Sequence, residues 1–246
     1  MSKSFVKRSL SVVLLFAALL CLSASASADA RHDAFMKTAK AFVEDHKLPD
    51  GDDIMPEDVT EDFAENQLAF CDVDGDGKPE LLINFQTGTM ASMLLYACGF
   101  DEKTGKVTVK YVGSPATEFY NNGCAKDPAL RNQGLGGDFW PYSISKYNPE
   151  KGEYDYMGSV DAWSKEEFPT HPFEEGKAYP ADVDKAGDGF VYYIDDEHFK
   201  DAKGMETPVD TSVYKAWDAS YTGSAKLIEI EWVSADEKGL KALDKK

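Results

Sequence analysis

Residues Ala69 to Phe85 read AFCDVDGDGKPELLINF and constrain the fold more than any other stretch of the chain. Apolar runs at either end flank nine residues, Asp72 to Glu80, that hold four acids and two glycines. Leu81 to Phe85 is almost continuously apolar, as a strand covered on both faces should be, and Gln67 to Cys71 has the same character on the other side of the loop. A polar connection this short brings the two runs side by side as antiparallel strands of one sheet. Gly75 and Gly77 let the connection curl, because glycine accepts backbone angles closed to other residues.

The acids of the loop fall at positions 1 (Asp72), 3 (Asp74), 5 (Asp76) and 9 (Glu80). A tightly curled loop turns alternate side chains inward, so that three aspartates can ring a single cation. Lys78 stands at position 7, where the chain offers its backbone carbonyl and the side chain points away. Such an all-oxygen set suits a hard cation with flexible coordination, and calcium fits it better than magnesium, which demands strict octahedral geometry. Zinc would call for His or Cys. The competing reading is a polar Asp-Gly turn that merely joins two strands. A turn needs one Asp-Gly pair, however, and leaves acids at 1, 3, 5 and 9 unexplained.

The stretch DVDGDGKPEL resembles the calcium loop of VCBS and FG-GAP repeats, extracellular β modules in which an Asp-x-Asp-x-Asp-Gly loop runs directly into a strand. The resemblance implies Asp72, Asp74, Asp76 and Glu80 as side-chain ligands and Lys78 as the carbonyl ligand. It departs from an EF-hand, in which position 12 is a bidentate Glu; here that position is Ile83, and the flanks read as strands. A single complete copy is present. Asp182, Asp184, Asp188 and Gly189 look like a decayed second copy in which, counted from Asp184, position 3 is Ala186 and position 9 is Tyr192. The order of motifs along the whole chain resembles a group of secreted bacterial proteins that carry the loop singly. That likeness implies location and calcium, and no particular activity.

Elsewhere the patterning predicts an α+β fold, mainly antiparallel β, as one twisted sheet or a sandwich with helices from both termini packed against it. Phe35, Met36, Ala39, Phe42 and Val43 recur at helical spacing between Arg31 and His46. Met90 to Phe100 reads as a strand, and DEKTG (101–105) as the turn into the alternating strand KVTVKYV (106–112). Gly113 to Asp138, rich in Gly, Asn and Pro, reads as a long surface loop. Trp140 to Tyr147 and Glu153 to Trp163 flank the turn NPEKG (148–152), and FVYYI (190–194) reads as another strand. Asp210 caps a predicted helix in which Val213, Trp217 and Tyr221 share a face. Lys226 to Val233 alternates as a strand should, and Ser234 to Glu237 supplies a capping box for a closing helix with Leu240 and Leu243 on its apolar side.

The first residues carry Lys3, Lys7 and Arg8, then an apolar run from Leu10 to Leu22, then Ala26 and Ala28: the pattern of a cleavable signal peptide over residues 1–28, with Asp29 as the mature N-terminus. A lipoprotein reading of Cys21 meets a bulky Leu20 where a small side chain is wanted. The expectation is a secreted single domain over 29–246 with no membrane span. A formal net charge of −18 disfavours nucleic acid and anionic membrane surfaces as partners and favours cations. Cys71, Cys98 and Cys124 permit one disulfide, or stand as small buried hydrophobes.

His32, His46, His171 and His198 sit in no pattern that suggests a triad or a metalloprotease helix, and no nucleophile elbow or phosphate-binding glycine loop occurs. His198 follows Asp195, Asp196 and Glu197, which read as an exposed acidic turn. The predicted function is a non-catalytic extracellular module with a structural calcium. An alternative is a carbohydrate or cell-surface binding module that uses Trp140, Tyr142, Tyr147, Tyr154, Tyr156 and Trp163 as a stacking face. A third is a secreted hydrolase with a carboxylate-only site.

Overall fold

A computed structural model describes residues 28–130 and 134–246. The predicted signal peptide falls almost wholly outside the described residues. Among the described residues, eleven strands make two antiparallel sheets and three α-helices accompany them, an α+β fold. Residues 28–45 form helix α1. The first sheet holds β1 (Gln67–Cys71), β2 (Glu80–Phe85), β3 (Leu94–Asp101), β4 (Lys106–Gly113) and the late strand β11 (Val233–Ser234), in the order β11-β1-β2-β3-β4. The second holds β5 (Glu118–Phe119), β6 (Cys124–Pro128), β7 (Tyr142–Asn148), β8 (Glu153–Ser164), β9 (Phe190–Ile194) and β10 (Pro208–Val209), in the reverse order β10 to β5.

Every residue of β2 is buried because both faces of the first sheet are covered. Leu81, Ile83 and Phe85 meet Phe35, Met36, Ala39 and Phe42 of α1 and Leu240 and Leu243 of α3 (Glu237–Leu243), so the two terminal helices pack on one face as the patterning predicts. Leu82, with Ala69, Leu95 and Ala97, looks the other way, into a cluster shared with Phe119 and Ala125 of the second sheet. The inter-sheet seam is therefore a hydrophobic layer, and burial there is the main force holding the sheets together. Helix α2 (Thr211–Thr222) lies on the second sheet, its Asp210 cap accepting from the Ser212 N–H.

Several boundaries differ from the sequence expectation. Residues 113–138 are no plain loop, since β5 and β6 lie within them and Phe119, Cys124 and Ala125 are fully buried. Strands of two and five residues flanked by Gly and Asn leave too little periodicity to read. The strand expected from Met90 begins at Leu94, and Met90 is exposed. Lys226 to Val233 keeps its alternation, with Ile228, Ile230 and Trp232 on the shared cluster, yet most of it lacks a ladder. It touches the second sheet through Asn121 N–H to Lys226 O (3.0 Å) and Ile228 N–H to Phe119 O (2.8 Å), then joins the first as β11. Alternation reports which side faces a core, not whether a neighbouring backbone is present. In α2 the inward face is Tyr214, Trp217 and Tyr221, while Val213 points out. Asp236, not Ser234, caps α3, accepting from the Gly239 N–H at 2.6 Å.

Candidate metal centre

The loop between β1 and β2 curls as its glycines allow, with Gly75 and Gly77 at φ +80° and +82°. Asp72 braces the curl: Oδ1 accepts the Gly75 N–H (2.8 Å) and Oδ2 the Gly77 N–H (2.9 Å). Asp74 Oδ1 accepts the Asp76 N–H (3.0 Å), and Glu80 Oε2 accepts the Val73 N–H (3.1 Å). Carboxylate oxygens of Asp72, Asp74 and Glu80 come within 4.8 Å of one another, the one such convergence of three metal-ligating groups among the described residues. Asp76 is exposed, spends Oδ1 on the Lys78 N–H (2.7 Å) and stands outside that group. The Lys78 side chain reaches away, to Glu102 at 3.4 Å.

A residue that the loop motif does not contain completes the centre. Lys110 Nζ on β4 donates to Asp74 Oδ2 (2.5 Å) and to Glu80 Oε1 (2.9 Å), with all three side chains nearly or fully removed from solvent. Two carboxylates thus share one ammonium. Burial pushes Glu80 up, to about 7, against the pull of Lys110. Burial also opposes the charge on Lys110, but its bonds to Asp74 and Glu80 outweigh that and hold the amine above the ordinary lysine range.

The loop sits at the edge of the seam. The Val73 carbonyl accepts from Tyr154 OH of β8 (2.8 Å), and a Cβ on Gly123, in the β5–β6 turn, would come within 3.2 Å of the Asp74 carbonyl. The centre thereby touches both sheets.

The second aspartate loop repeats the brace without the ligands. Asp184 accepts from Gly187 N–H (2.8 Å) and Gly189 N–H (3.1 Å), the same offsets as Asp72, and both glycines are again left-handed, at φ +69° and +82°. Asp188 accepts from Phe190 N–H (3.1 Å) and Thr211 Oγ1 (2.8 Å). Asp182, Asp184 and Asp188 do not converge with any third ligand group. Its curl is kept while the carboxylates at positions 3 and 9 are missing.

The aromatic residues of the second hairpin do not form one flat face. Trp163 is 1% exposed and packs on Tyr179, Tyr142 is buried, and Trp140 and Tyr156 are exposed at 47% and 56%. The four histidines are tied into structure: His32 to Asp244 (3.1 Å), His46 stacked on Phe63, His171 beside Glu174 (3.2 Å), and His198 on Asp196 (2.6 Å). Asp195 is paired with Lys200 (2.6 Å). Cys71, Cys98 and Cys124 are all unpaired thiols, so the disulfide that their number permits is not made. A cleft of about 420 Å³ on the second sheet gathers Asp127, Asp161 and Glu206 with Ser143, Ser159 and Tyr193. Burial raises both Asp161 and Glu206 there. No described helix is long and apolar enough to cross a membrane. Comparison with family models, curated proteins and solved structures finds no match to this chain.

Proposed function

We propose that the Asp72–Glu80 loop binds one calcium ion as a structural element of a secreted, non-catalytic β-rich protein, in the manner of the single VCBS-like loop its sequence resembles. One observation carries the reading: three carboxylates contributed by residues 72, 74 and 80 converge within 4.8 Å. Oxygens at about 2.3–2.6 Å from a shared calcium lie no farther apart than roughly twice that distance, so the spacing fits the ion. In this reading Asp72, Asp74 and Glu80 are the inner ligands, and Asp76 and the Lys78 carbonyl close the ring. The ion supplies positive charge to a cluster of three acids, only two of which, Asp74 and Glu80, share the one lysine, and it links the loop to both sheets. The aromatic-face alternative is weakened by the burial of Trp163 and Tyr142 in the core.

Isothermal titration of the purified chain with calcium chloride tests the proposal. One ion per chain is expected, with a dissociation constant on the order of 10⁻⁴ to 10⁻³ M as is common for extracellular modules. Absence of a binding isotherm at millimolar calcium would sink it.

A further inference from the structure

We propose that Lys110 is a built-in counter-cation that holds the metal-facing oxygens of the loop when calcium is absent and is displaced when calcium binds, so that this lysine sets the loop's affinity for the ion. The inference rests on the calcium reading and deepens it.

The backbone around Lys110 is arranged to deliver its ammonium. Along β3 and β4, Ala97 faces Tyr111 and the next residue, Cys98, faces Val109, so Lys110 has no opposite number and forms a β-bulge. Bulges re-aim side chains, and the consequence is visible on either side. Val109 packs with the helix-side core and Tyr111 with the inter-sheet cluster, although residues two apart in an unbroken strand would share a face. Gly99 then leaves a channel for the lysine. A Cβ at that position would lie 2.0 Å from Lys110 Cε and 2.8 Å from Cδ, so the stem occupies the space that any other residue would fill. The Tyr147 ring, 5.1 Å from Nζ, flanks the ammonium on the second-sheet side.

The oxygens that Lys110 takes are the ones a metal would need. Backbone N–H groups hold both oxygens of Asp72, Oδ1 of Asp74 and Oε2 of Glu80. The two left over, Asp74 Oδ2 and Glu80 Oε1, are the two that Lys110 contacts. An ammonium within 3 Å of both leaves no room for a calcium ion on the same oxygens, and two like charges so close would repel. Calcium binding therefore requires Nζ to move away.

The test is calcium titration, by calorimetry and by thermal melting with calcium or EDTA, of the wild-type chain, Lys110→Met and Gly99→Ala. The alanine keeps the lysine and its charge but obstructs its path, so it carries the test should Lys110→Met not fold without metal. Both variants are expected to bind calcium at least about tenfold more tightly than wild type, a factor that loss of one close charge repulsion readily supplies. Each should also melt below wild type in EDTA and recover in calcium. If calcium binds all folded variants with the wild-type affinity, the displacement proposal is overturned while the calcium site stands. If neither the wild type nor a folded variant binds calcium, the calcium reading itself falls and this proposal with it. Binding by a variant alone would overturn both the displacement proposal and the calcium reading of the native loop, because the lysine would then exclude the ion instead of yielding to it.

Discussion

Asp72 braces the curl with both carboxylate oxygens and Asp76 lies exposed, whereas Asp74 and Glu80 each keep one oxygen off the backbone and have side chains almost completely buried. The substitutions therefore separate cleanly. Asp74→Ala is expected to remove most of the calcium-dependent rise in melting temperature, because it deletes a proposed inner ligand. Lys78→Ala should leave that rise nearly intact, because its side chain points to Glu102 and only its carbonyl is proposed to bind. Paired melting curves with calcium and with EDTA distinguish the two, and a full calcium shift in Asp74→Ala would contradict the ligand assignment. Alternate side chains of a curled loop lead the sequence reading to expect positions 1, 3, 5 and 9 to converge; those at 1, 3 and 9 do, while Asp76 at position 5 faces solvent because its carboxylate accepts from the Lys78 N–H. Lys110 was not legible in the sequence. It lies thirty residues beyond Glu80, and the alternation of KVTVKYV hides the bulge that re-aims it.

At the scale of elements, longer patterned segments were readable because their apolar residues meet a core: α1, β1, β2, β4, the β7–β8 hairpin and α3 lie close to where their patterns put them. The strands β5 and β6 escaped because they are too short and too closely flanked by Gly and Asn to show a period, and the ladder-free course of residues 226–232 escaped because alternation does not report whether a neighbouring backbone is present. The β5–β6 turn matters to the site. Gly123 has φ +77°, and a Cβ there would crowd the Asp74 carbonyl at 3.2 Å. Gly123→Ala is predicted to cost about 1–2 kcal/mol through the left-handed backbone alone and to weaken calcium binding as well; denaturant unfolding and calcium titration measure the two effects separately. A second element carries its own pH dependence. The Ser212 hydroxyl, then the Ala186 N–H, hold Asp210 down to about 2, against the opposing effect of burial. A depressed carboxylate contributes stability that is present above its unfolded value near 3.8 and is lost as pH falls through about 2. Since Asp210 caps α2 and also accepts from Lys185 N–H (2.9 Å), the near-ultraviolet signal of Trp217 should decay over that interval less steeply in Asp210→Asn than in wild type. Identical acid limbs would remove Asp210 from the account.

For the molecule as a whole, the proposed ion lies where two sheets meet. Tyr154 OH on the Val73 carbonyl, Gly123 against Asp74 and Tyr147 beside Lys110 tie the loop to the second sheet, while β1 and β2 root it in the first. The proposed ion would strengthen the seam by relieving repulsion within an acidic cluster, in a chain whose net charge of −18 already opposes compaction. Binding stabilises the folded state by mass action: with about 2 mM calcium and a dissociation constant near 0.1 mM, the gain is about 1.8 kcal/mol. For a chain of this size that corresponds to a rise of roughly 4–7 °C in melting temperature. The most direct measurement is the thermal unfolding of the wild-type protein in 2 mM calcium and in EDTA at about the same ionic strength. Calcium is expected to raise the midpoint by roughly that amount and magnesium much less; superimposable curves in calcium and EDTA would show the loop to be an acidic turn held by Lys110 and no calcium site.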